Sequence, residues 1–600
     1  MEIETPQNLK TRLPFSNGLT KEEIIAFEDA FKNCKERPVF YVPSTTESYD
    51  ELRQVFNRRF DFMPSLIIQP RTTENVAIAI AYATEQNIPI TVKSGGHDHE
   101  GECVATGKVL IDFGKMNETN ASLPDFKKGK KSMKQISIQP GSRFRSIKEV
   151  LDDKGLGIPH GTCQSVAIAG YTMGGGWGPW TRKYGMGCER LKGATIVLGD
   201  GTIKYLGTSA FYNKDKANKE NTEGYDSKLL WAIRGGGGLS YGIVTEFFFE
   251  PFELPNIAFS FHISNDMLPV FDKIKAHIVI KAWEEIIKPE RNPNLIGTNL
   301  KVLAKPVKSE LDISEEAILE WTLNGHFGGN RTELKEMMLS WGKYVVEMIE
   351  KDPVFSKREK QKMINDVEEG LKKKFDEAVN STYIQSYVKG VTNGGYPFTF
   401  ENWDRYSVTA KEHGLTLETD CPAPHKITSR MPTENWEDED MSRKQLVCSL
   451  QSTLLYDLKE SNISSYITLG AINGDFYATK EAKELSALSC AFPYQTRPFT
   501  IQYQTWWDMP TENEEKLCTM DTHTTEKIVP TRFHVNRALD WMEECRDFKI
   551  NETDGSFISF KDSSIPTKNY FVHNYEELMK IKLKYSEDSK NLFQSRKTII

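Results

Sequence analysis

The sequence predicts an α+β protein of two domains, and three observations lead to this prediction. Between residues 65 and 249, short apolar runs alternate with helical patterns and clusters of glycine. After residue 253 long charged helical stretches begin, notably at 312–376. Strand patterns return at 464–472 and 499–507, which predicts an antiparallel sheet covered by helices in the second domain.

The first domain is built from elements that each have a local signal. Ile24, Phe27, Ala30 and Phe31 share one face of a predicted lead-in helix. A Gly-Asp-Gly turn predicts a hairpin at 194–206. The predicted elements in order are a helix at 22–34, a strand at 65–70, a helix at 73–86, strands ending at 93 and 112, a strand at 136–141, a helix at 146–154, the hairpin, a strand at 243–249 and a last helix at 574–585.

Composition excludes several classes of protein. Hydrophobic residues make up 38% of the 600 residues and charged residues 27%, as in globular proteins. The net charge of −8 gives no general attraction to nucleic acid or to an anionic membrane, so neither partner is predicted. Residues 1–15 lack the pattern of a secretory signal, and no segment is apolar enough to span a bilayer, which predicts a cytoplasmic protein. Nine cysteines without a CxxC pair predict neither a disulfide framework nor a zinc module.

A glycine-rich stretch from His160 to Gly187 is the strongest candidate for a binding site. Three consecutive glycines begin at Gly174, and Gly170 and Gly178 lie beside them. Glycines lack the Cβ atom that keeps a backbone away from a ligand, so the stretch predicts close contact with a large flat or anionic group. Cys163 precedes the glycines and would face the same ligand if the segment folds back.

Two further glycine clusters, at 95–96 and 235–238, bear on the kind of ligand that is bound. Gly95 and Gly96 end an apolar strand, and a glycine turn of this kind suits a pyrophosphate. The dinucleotide fingerprint G-x-G-x-x-G fits neither the glycine-rich stretch nor the cluster at 235–238. Its last position holds Pro179 when counted from Gly174 and Gly176. It holds Ser240 when counted from Gly235 and Gly237. His97, Asp98 and His99 could ligate a metal, but no second cluster accompanies them, and no metal is predicted.

Four ordered motifs resemble the FAD-linked oxidases of the vanillyl-alcohol oxidase superfamily, in the berberine bridge enzyme-like and oligosaccharide oxidase branch. They are KSGGH at 93–97, the stretch 163–178 with RKYG after it, LLWAIRGGGGLSYGIVTEF at 229–247 and the C-terminal segment 570–593. The resemblance implies a PCMH-type FAD-binding domain made of two α+β subdomains. It divides the chain into a lead-in helix at 1–40, the FAD domain at 41–253, a substrate domain at 254–534 and a C-terminal segment at 535–600 that completes the FAD domain.

The resemblance also implies how FAD is held. His97 matches the histidine that bonds the 8α carbon of the flavin, and Cys163 matches the cysteine that bonds C6. Imidazole and thiolate are nucleophiles that a flavin can trap. The alternatives are a small buried apolar role for Cys163 and attachment through His99. The other predicted cofactor-binding residues are Ser94, Gly95, Gly96, Gly101, Thr162, Val166, Gly170, Gly174, Gly175, Gly178, Ile243, Val244 and Asn574.

The catalytic base is where the chain departs from its relatives. Relatives often carry tyrosines at the positions of Trp177 and of the FISF segment 557–560, and neither position here can lose a proton. Gln502 matches a position that faces the flavin, and it could orient a substrate hydroxyl without acting as a base. Tyr494 could take the proton, although a packed core aromatic is the alternative role for it.

The activity implied by the resemblance is oxidation of a hydroxyl or C–H centre of a small carbohydrate or secondary metabolite, with molecular oxygen as acceptor. Val166 matches a small residue that leaves space for oxygen beside the flavin in relatives. A dehydrogenase of the same fold and a flavin-retaining binding protein are the alternatives. The sequence does not predict the oligomeric state.

Overall fold

The computed structural model describes most of the chain as helices and sheets. The described residues are 18–43, 47–123, 125–128, 131–207, 227–255, 258–377, 384–387, 422–436, 440–458, 461–507, 530–586, 592–593 and 595–599. The N-terminal residues 1–15, on which the predicted location rests, lie outside these ranges. Within them, no helix is long and apolar enough to cross a membrane.

The first sheet has four strands and holds the turn that carries His97. Its order is Val39–Tyr41, Leu66–Gln69, Val109–Asp112, Ile90–Lys93, and only the first strand is antiparallel to its neighbour. Helices Lys21–Asp29, Glu47–Arg53 and Thr73–Glu85 accompany it. Phe27, Val76 and Ile80 are fully buried in one cluster with the strands, so the predicted lead-in helix packs on this sheet.

The second sheet has five antiparallel strands and includes the predicted hairpin. Its order is Ile203–Gly207, Leu191–Val197, Ile243–Phe249, Ile136–Ile138, Thr119–Asn120. Small strand pairs join Phe126–Lys128 to Lys131–Met133 and Leu156–Gly157 to Phe252–Glu253. The helices around it are Phe144–Asp152, Ile168–Met173, Thr181–Tyr184, Ser227–Ile233, Lys568–Phe571 and Tyr575–Ser586. Leu578 and Ile581 of the last helix lie in the core of this sheet, which brings the C-terminal segment back to the first half of the chain.

The large sheet has eight antiparallel strands and is covered by helices. Its order is Ile384–Tyr387, Ala258–Ser264, Trp321–Phe327, Leu295–Leu303, Ile463–Ala471, Phe499–Trp507, His425–Pro432, Thr553–Asp554. Its helices are Ala276–Ile287, Arg331–Lys351, Lys357–Glu377, Asp440–Ser449, Lys480–Ser489 and Arg532–Asp547. The predicted helical stretch 312–376 is correct only in part, because alternating Trp321, Leu323 and Phe327 form a strand in it.

The two faces of the large sheet differ in chemistry. Along the strand Phe499–Trp507, Phe499, Ile501 and Tyr503 enter the hydrophobic core beneath the helices. Successive side chains of a strand point to opposite faces. Thr500, Gln502 and Gln504 therefore lie on the other face, which we call the polar face.

Arg182 connects the glycine-rich stretch to the helical layer of the large sheet. Its side chain is fully buried, and it donates hydrogen bonds to the carbonyl oxygens of Ile287, Lys288, Asn292 and Leu295. These carbonyls lie at and just after the end of helix Ala276–Ile287. Carbonyls at a helix C-terminus lack partners within the helix, so Arg182 satisfies them and ties the two layers together.

Candidate active site

Two predicted attachment residues come from neighbouring loops. The Gly95-Gly96 turn follows strand Ile90–Lys93, and it approaches the loop that contains Cys163. The Nε2 atom of His97 lies 2.9 Å from the hydroxyl of Ser165. A Cβ atom on Gly95 would lie 2.7 Å from the backbone nitrogen of Ala167, so the close approach requires a glycine. The fold thus brings His97 to the loop of Cys163.

The ring of His97 is held in a defined orientation. It stacks on Phe56 with ring centroids 3.9 Å apart and an interplanar angle of 23°. Burial, with the nearby positive charge of Arg143, lowers the pKa of His97 well below its usual value. The imidazole is therefore neutral at pH 7 and keeps a nucleophilic nitrogen. Cys163, like His97, is half-buried.

The polar face of the large sheet carries a row of amide and hydroxyl groups. The side-chain nitrogen of Gln502 donates to the hydroxyl of Thr500 at 2.9 Å. Gln504 donates to Thr468 at 3.3 Å and accepts a hydrogen bond from the indole of Trp506 at 3.0 Å. Gln502 thus lies on the face opposite the helices, with 3% of its surface exposed.

Trp177 of the glycine-rich stretch reaches this same face. Its indole nitrogen donates to the carbonyl oxygen of Ala471 at 2.8 Å. A Cβ atom on Gly470 would lie 2.5 Å from the Trp177 ring and 3.1 Å from the Thr500 hydroxyl. The indole therefore lies beside the pair of Thr500 and Gln502, and it offers no proton-accepting group there.

Sequence reasoning missed a pair of histidines next to these residues. The Nδ1 atom of His99 lies 2.8 Å from Nε2 of His425, which begins strand His425–Pro432. The ring of His425 stacks on Trp506 with centroids 4.0 Å apart. The sequence suggests His99 only as a metal ligand or a flavin link, and no local pattern marks His425. The contact joins the loop after strand Ile90–Lys93 to the first residue of strand His425–Pro432.

Comparison with known proteins agrees with this geometry. Residues 64–207 match the family described as FAD binding domain, and residues 556–600 match the family described as Berberine and berberine like. Glucooligosaccharide oxidase of Sarocladium strictum is 28% identical over 49% of this chain and 50% of its own length. Berberine bridge enzyme-like 12 of Arabidopsis thaliana is 23% identical over 93% of this chain and 90% of its own. Over these segments the chain is similar to FAD-linked oxidases of the berberine bridge enzyme-like branch.

A solved structure supports the fold of this chain. Glucooligosaccharide oxidase from Acremonium strictum, described with a 6-S-cysteinyl, 8α-N1-histidyl FAD, superposes with a TM-score of 0.61 at 18% identity over 94% of this chain and 97% of that one. The predicted α+β fold with a PCMH-type FAD-binding domain is confirmed, and FAD is its cofactor. The match to the first curated relatives spans about half of their length. The predicted domain boundaries stay predictions.

The residues of the chain fit this cofactor. A neutral imidazole and a thiol, both half-buried, come from two loops in contact. Gly170, in helix Ile168–Met173, is exposed, and a Cβ atom there would meet nothing within 4 Å. A flat ligand therefore has room to approach this helix. Attachment at His97 and Cys163 stays a prediction.

The glycine triplet packs closely against other parts of the protein. A Cβ atom on Gly174 would lie 2.5 Å from the hydroxyl of Ser559, and one on Gly175 would lie 2.9 Å from Phe492. At Gly178 it would lie 1.9 Å from the carbonyl oxygen of His160. These missing Cβ atoms make room for the protein itself, because the stretch packs against the C-terminal segment and its own loop. Direct contact of the glycines with FAD stays a prediction.

The other predicted cofactor-binding residues lie in several environments. Ser94 and Gly96 belong to the His97 turn, where Gly96 has a φ of 77°. Gly101 packs against Phe60, and Asn574 donates to the carbonyl oxygen of Ala491 at 3.0 Å. The remaining residues are Thr162 and Val166 in the Cys163 loop and Ile243 and Val244 at the start of a buried strand. Their roles toward FAD stay predictions.

The hydroxyl of Tyr494, the candidate base, makes hydrogen bonds with backbone groups. Its hydroxyl lies 3.0 Å from the carbonyl oxygens of Ser556 and Asn569 and accepts a hydrogen bond from the Ser556 nitrogen. Burial raises its pKa, which opposes ionisation at neutral pH. These contacts favour the packed aromatic role.

Two cysteines and a glutamate, Cys188, Cys490 and Glu189, form a buried cluster. The ligand atoms of Cys188, Glu189 and Cys490 lie within 4.8 Å of one another. The Glu189 carboxylate accepts a hydrogen bond from Tyr477 at 3.0 Å and lies 4.0 Å from the guanidinium of Arg234. This carboxylate is already satisfied, and a metal cation would be repelled by Arg234. The arrangement favours a structural role for Cys188.

Replacing Gly95 with alanine should separate the two loops of the candidate site. The new Cβ atom would press on the Ala167 nitrogen, and such overpacking costs about 1–3 kcal/mol. We expect a purified Gly95→Ala protein to contain clearly less FAD per chain than wild type, measured from its visible absorbance. Gly207→Ala is the control, since a Cβ atom there has contacts no closer than 3.5 Å. Equal FAD content in both variants would contradict the close approach.

Proposed function

We propose that the chain is an FAD-dependent oxidoreductase that oxidises a hydroxyl or C–H centre of a carbohydrate or secondary metabolite and passes the electrons to molecular oxygen. One observation carries the proposal: the His97 turn lies against the Cys163 loop, with 2.9 Å between His97 and Ser165. The relatives that support it include glucooligosaccharide oxidase and a carbohydrate oxidase of Microdochium nivale.

Different residues of the site would hold the cofactor and orient the substrate. FAD, when bound, accepts two electrons from the substrate and supplies them to oxygen. His97 and Cys163 would hold it at two points. The amide nitrogen of Gln502 is committed to Thr500, and among the described residues no donor reaches its oxygen. That oxygen can accept a hydrogen bond from a substrate hydroxyl and so orient it.

The polar face suits a ligand with many hydroxyl groups. Strand pairing brings Asn299 beside Asn324, and Lys301 beside Thr468. Thr468 in turn pairs with Gln502. Amide, ammonium and hydroxyl groups in adjacent positions can donate to and accept from several sugar hydroxyls at once. A carbohydrate is therefore the substrate class that we favour.

The experiment is a substrate panel with two readouts. Glucose, cellobiose, xylobiose, chitobiose and benzyl alcohol are each mixed with the purified holoprotein. We expect at least one sugar to bleach the flavin absorbance without oxygen and to release peroxide in air. Bleaching without peroxide would favour a dehydrogenase that uses another acceptor. A flavin that no compound bleaches would favour a non-catalytic binding protein.

A further inference from the structure

The protonation pattern of His99 and His425 follows from their hydrogen bonds. The Nδ1 atom of His425 lies 2.8 Å from the carbonyl oxygen of Ala423, which can only accept, so Nδ1 carries the proton. In neutral His425, Nε2 is then an acceptor. The Nδ1 atom of His99, 2.8 Å away, must donate to it. Nε2 of neutral His99 is left with a lone pair.

His99 is the less buried ring of the pair. His99 is half-buried, whereas His425 is fully buried behind it. Among the described residues no hydrogen-bond partner is recorded for Nε2 of His99. His99 follows His97 by two residues, and His425 stacks on Trp506, whose indole bonds to Gln504 on the polar face. The pair therefore lies between the predicted flavin attachment and the polar face.

Asn57 fixes the two histidines relative to each other. Its side-chain nitrogen donates to the backbone carbonyls of His99 at 2.6 Å and His425 at 3.0 Å. Its side-chain oxygen accepts from the backbone nitrogen of His425 at 3.1 Å. One fully buried amide thus holds both backbones, and this is the kind of support that keeps a reactive group in place.

Burial keeps the pair neutral at pH 7. Burial lowers the pKa of His99 to about 4. The carboxylates of Asp98 and Glu100 raise this pKa, and the positive charge of Lys561 lowers it. Burial also lowers the pKa of His425 well below its usual value, and His99, Arg59 and His97 add to this effect. Both rings are therefore neutral at pH 7, with one proton each, and can receive a second proton.

We propose that His99, supported by His425, is the proton acceptor of the oxidation proposed above, and the inference rests on that proposed function. The O–H bond of the substrate hydroxyl breaks and an N–H bond forms at Nε2 of His99. The electron pair of the adjacent C–H bond leaves as hydride to the oxidant that the proposed function supplies. His425 is a positioning residue, because it fixes the tautomer and stabilises the charged ring through its Nε2 atom.

The first test measures anaerobic flavin bleaching by the substrate that the panel identifies. We expect His99→Gln to slow bleaching by about 100-fold or more, since a positioned base contributes at least that factor. His425→Leu should slow it about 10-fold, and His425→Gln, whose amide oxygen can still accept from His99, should recover most of this loss. His277→Gln is the control, since His277 contacts Glu316 within the helical layer. A rate for His99→Gln within about threefold of wild type would overturn the proposal.

The pH profile has a defined sign. A base works only when unprotonated, so kcat/KM of wild type should fall as pH drops through the pKa of His99, near 4. His425→Leu should move this acid limb, because it removes the acceptor that stabilises protonated His99. An acid limb that is unchanged in both His99→Gln and His425→Leu would count against the pair.

A second test does not depend on activity. In the holoprotein labelled with ring-¹⁵N histidine, the His99 signals are assigned by their loss in His99→Gln. We expect a neutral ring with the proton on Nδ1 at pH 7, and a changed Nδ1 signal in His425→Leu. A proton on Nε2 at pH 7 would overturn the proposal. If wild type binds FAD but no panel compound bleaches it, the proposed function fails, and these spectra still decide whether the pair is built as a base.

Discussion

Alanine at both His97 and Cys163 should release all FAD into the supernatant when the protein is precipitated with acid. Each single variant should keep a coloured pellet, because the other residue still forms one bond to the flavin. The two side chains come from loops in contact, so either can reach the cofactor without the other. Absorbance of pellet and supernatant and the mass of the intact chain measure the outcome.

Two controls separate attachment from folding. Cys103→Ala removes a half-buried thiol outside the Cys163 loop, and His277→Ala removes a histidine in the helical layer. Both should retain FAD as wild type does. A coloured pellet from the His97→Ala/Cys163→Ala protein would contradict the double attachment. A colourless wild-type pellet would contradict any covalent link.

Arg443→Met should destabilise the helical layer of the large sheet by about 3–5 kcal/mol, the usual cost of leaving a buried charge without its partner. Arg443 bonds to both carboxylate oxygens of Glu284, at 2.8 Å and 2.6 Å to Oε2 and 3.0 Å to Oε1. Both side chains are almost fully buried, and Trp436 also donates to Glu284. Urea unfolding followed by tryptophan fluorescence measures the change.

A surface ion pair provides the matched control. Lys480 and Glu484 lie 3.8 Å apart in one helix with side chains 85% and 63% exposed. Exposed pairs of this kind contribute about 0–1 kcal/mol, so Lys480→Met should leave the unfolding midpoint almost unchanged. A similar small effect for Arg443→Met would mean that the Glu284 carboxylate finds another partner or water.

Local patterns predicted most strands of the first two sheets but only two of the eight in the large sheet, and they failed where two signals competed. The hairpin at 194–206 appears as strands Leu191–Val197 and Ile203–Gly207, because a glycine turn and β-branched residues agree. The strand Trp321–Phe327 was missed, since its alternating apolar residues stand among charged helical sequence. Sheet order could not be predicted, because it depends on contacts between distant residues.

The candidate site could be predicted only where a motif or a resemblance marks it. His97 and Cys163 were predicted in this way. His425 was not, because it meets His99 across 326 positions of the chain, where a loop of the first sheet contacts the large sheet. The glycines show a second limit: sequence reveals that a Cβ atom is absent, but only the fold shows that Ser559 and Phe492 take up the space.

The division of the large sheet into two faces has an evolutionary consequence. Ile501 and Tyr503 point into the core, while Gln502 and Gln504 between them point away from it. Substitutions at the second set leave the packing of the helices untouched, because only the first set belongs to the hydrophobic core beneath them. Substrate preference in such a chain can therefore drift through alternate positions of a few strands, and directed evolution of new specificity would best begin with libraries at those positions.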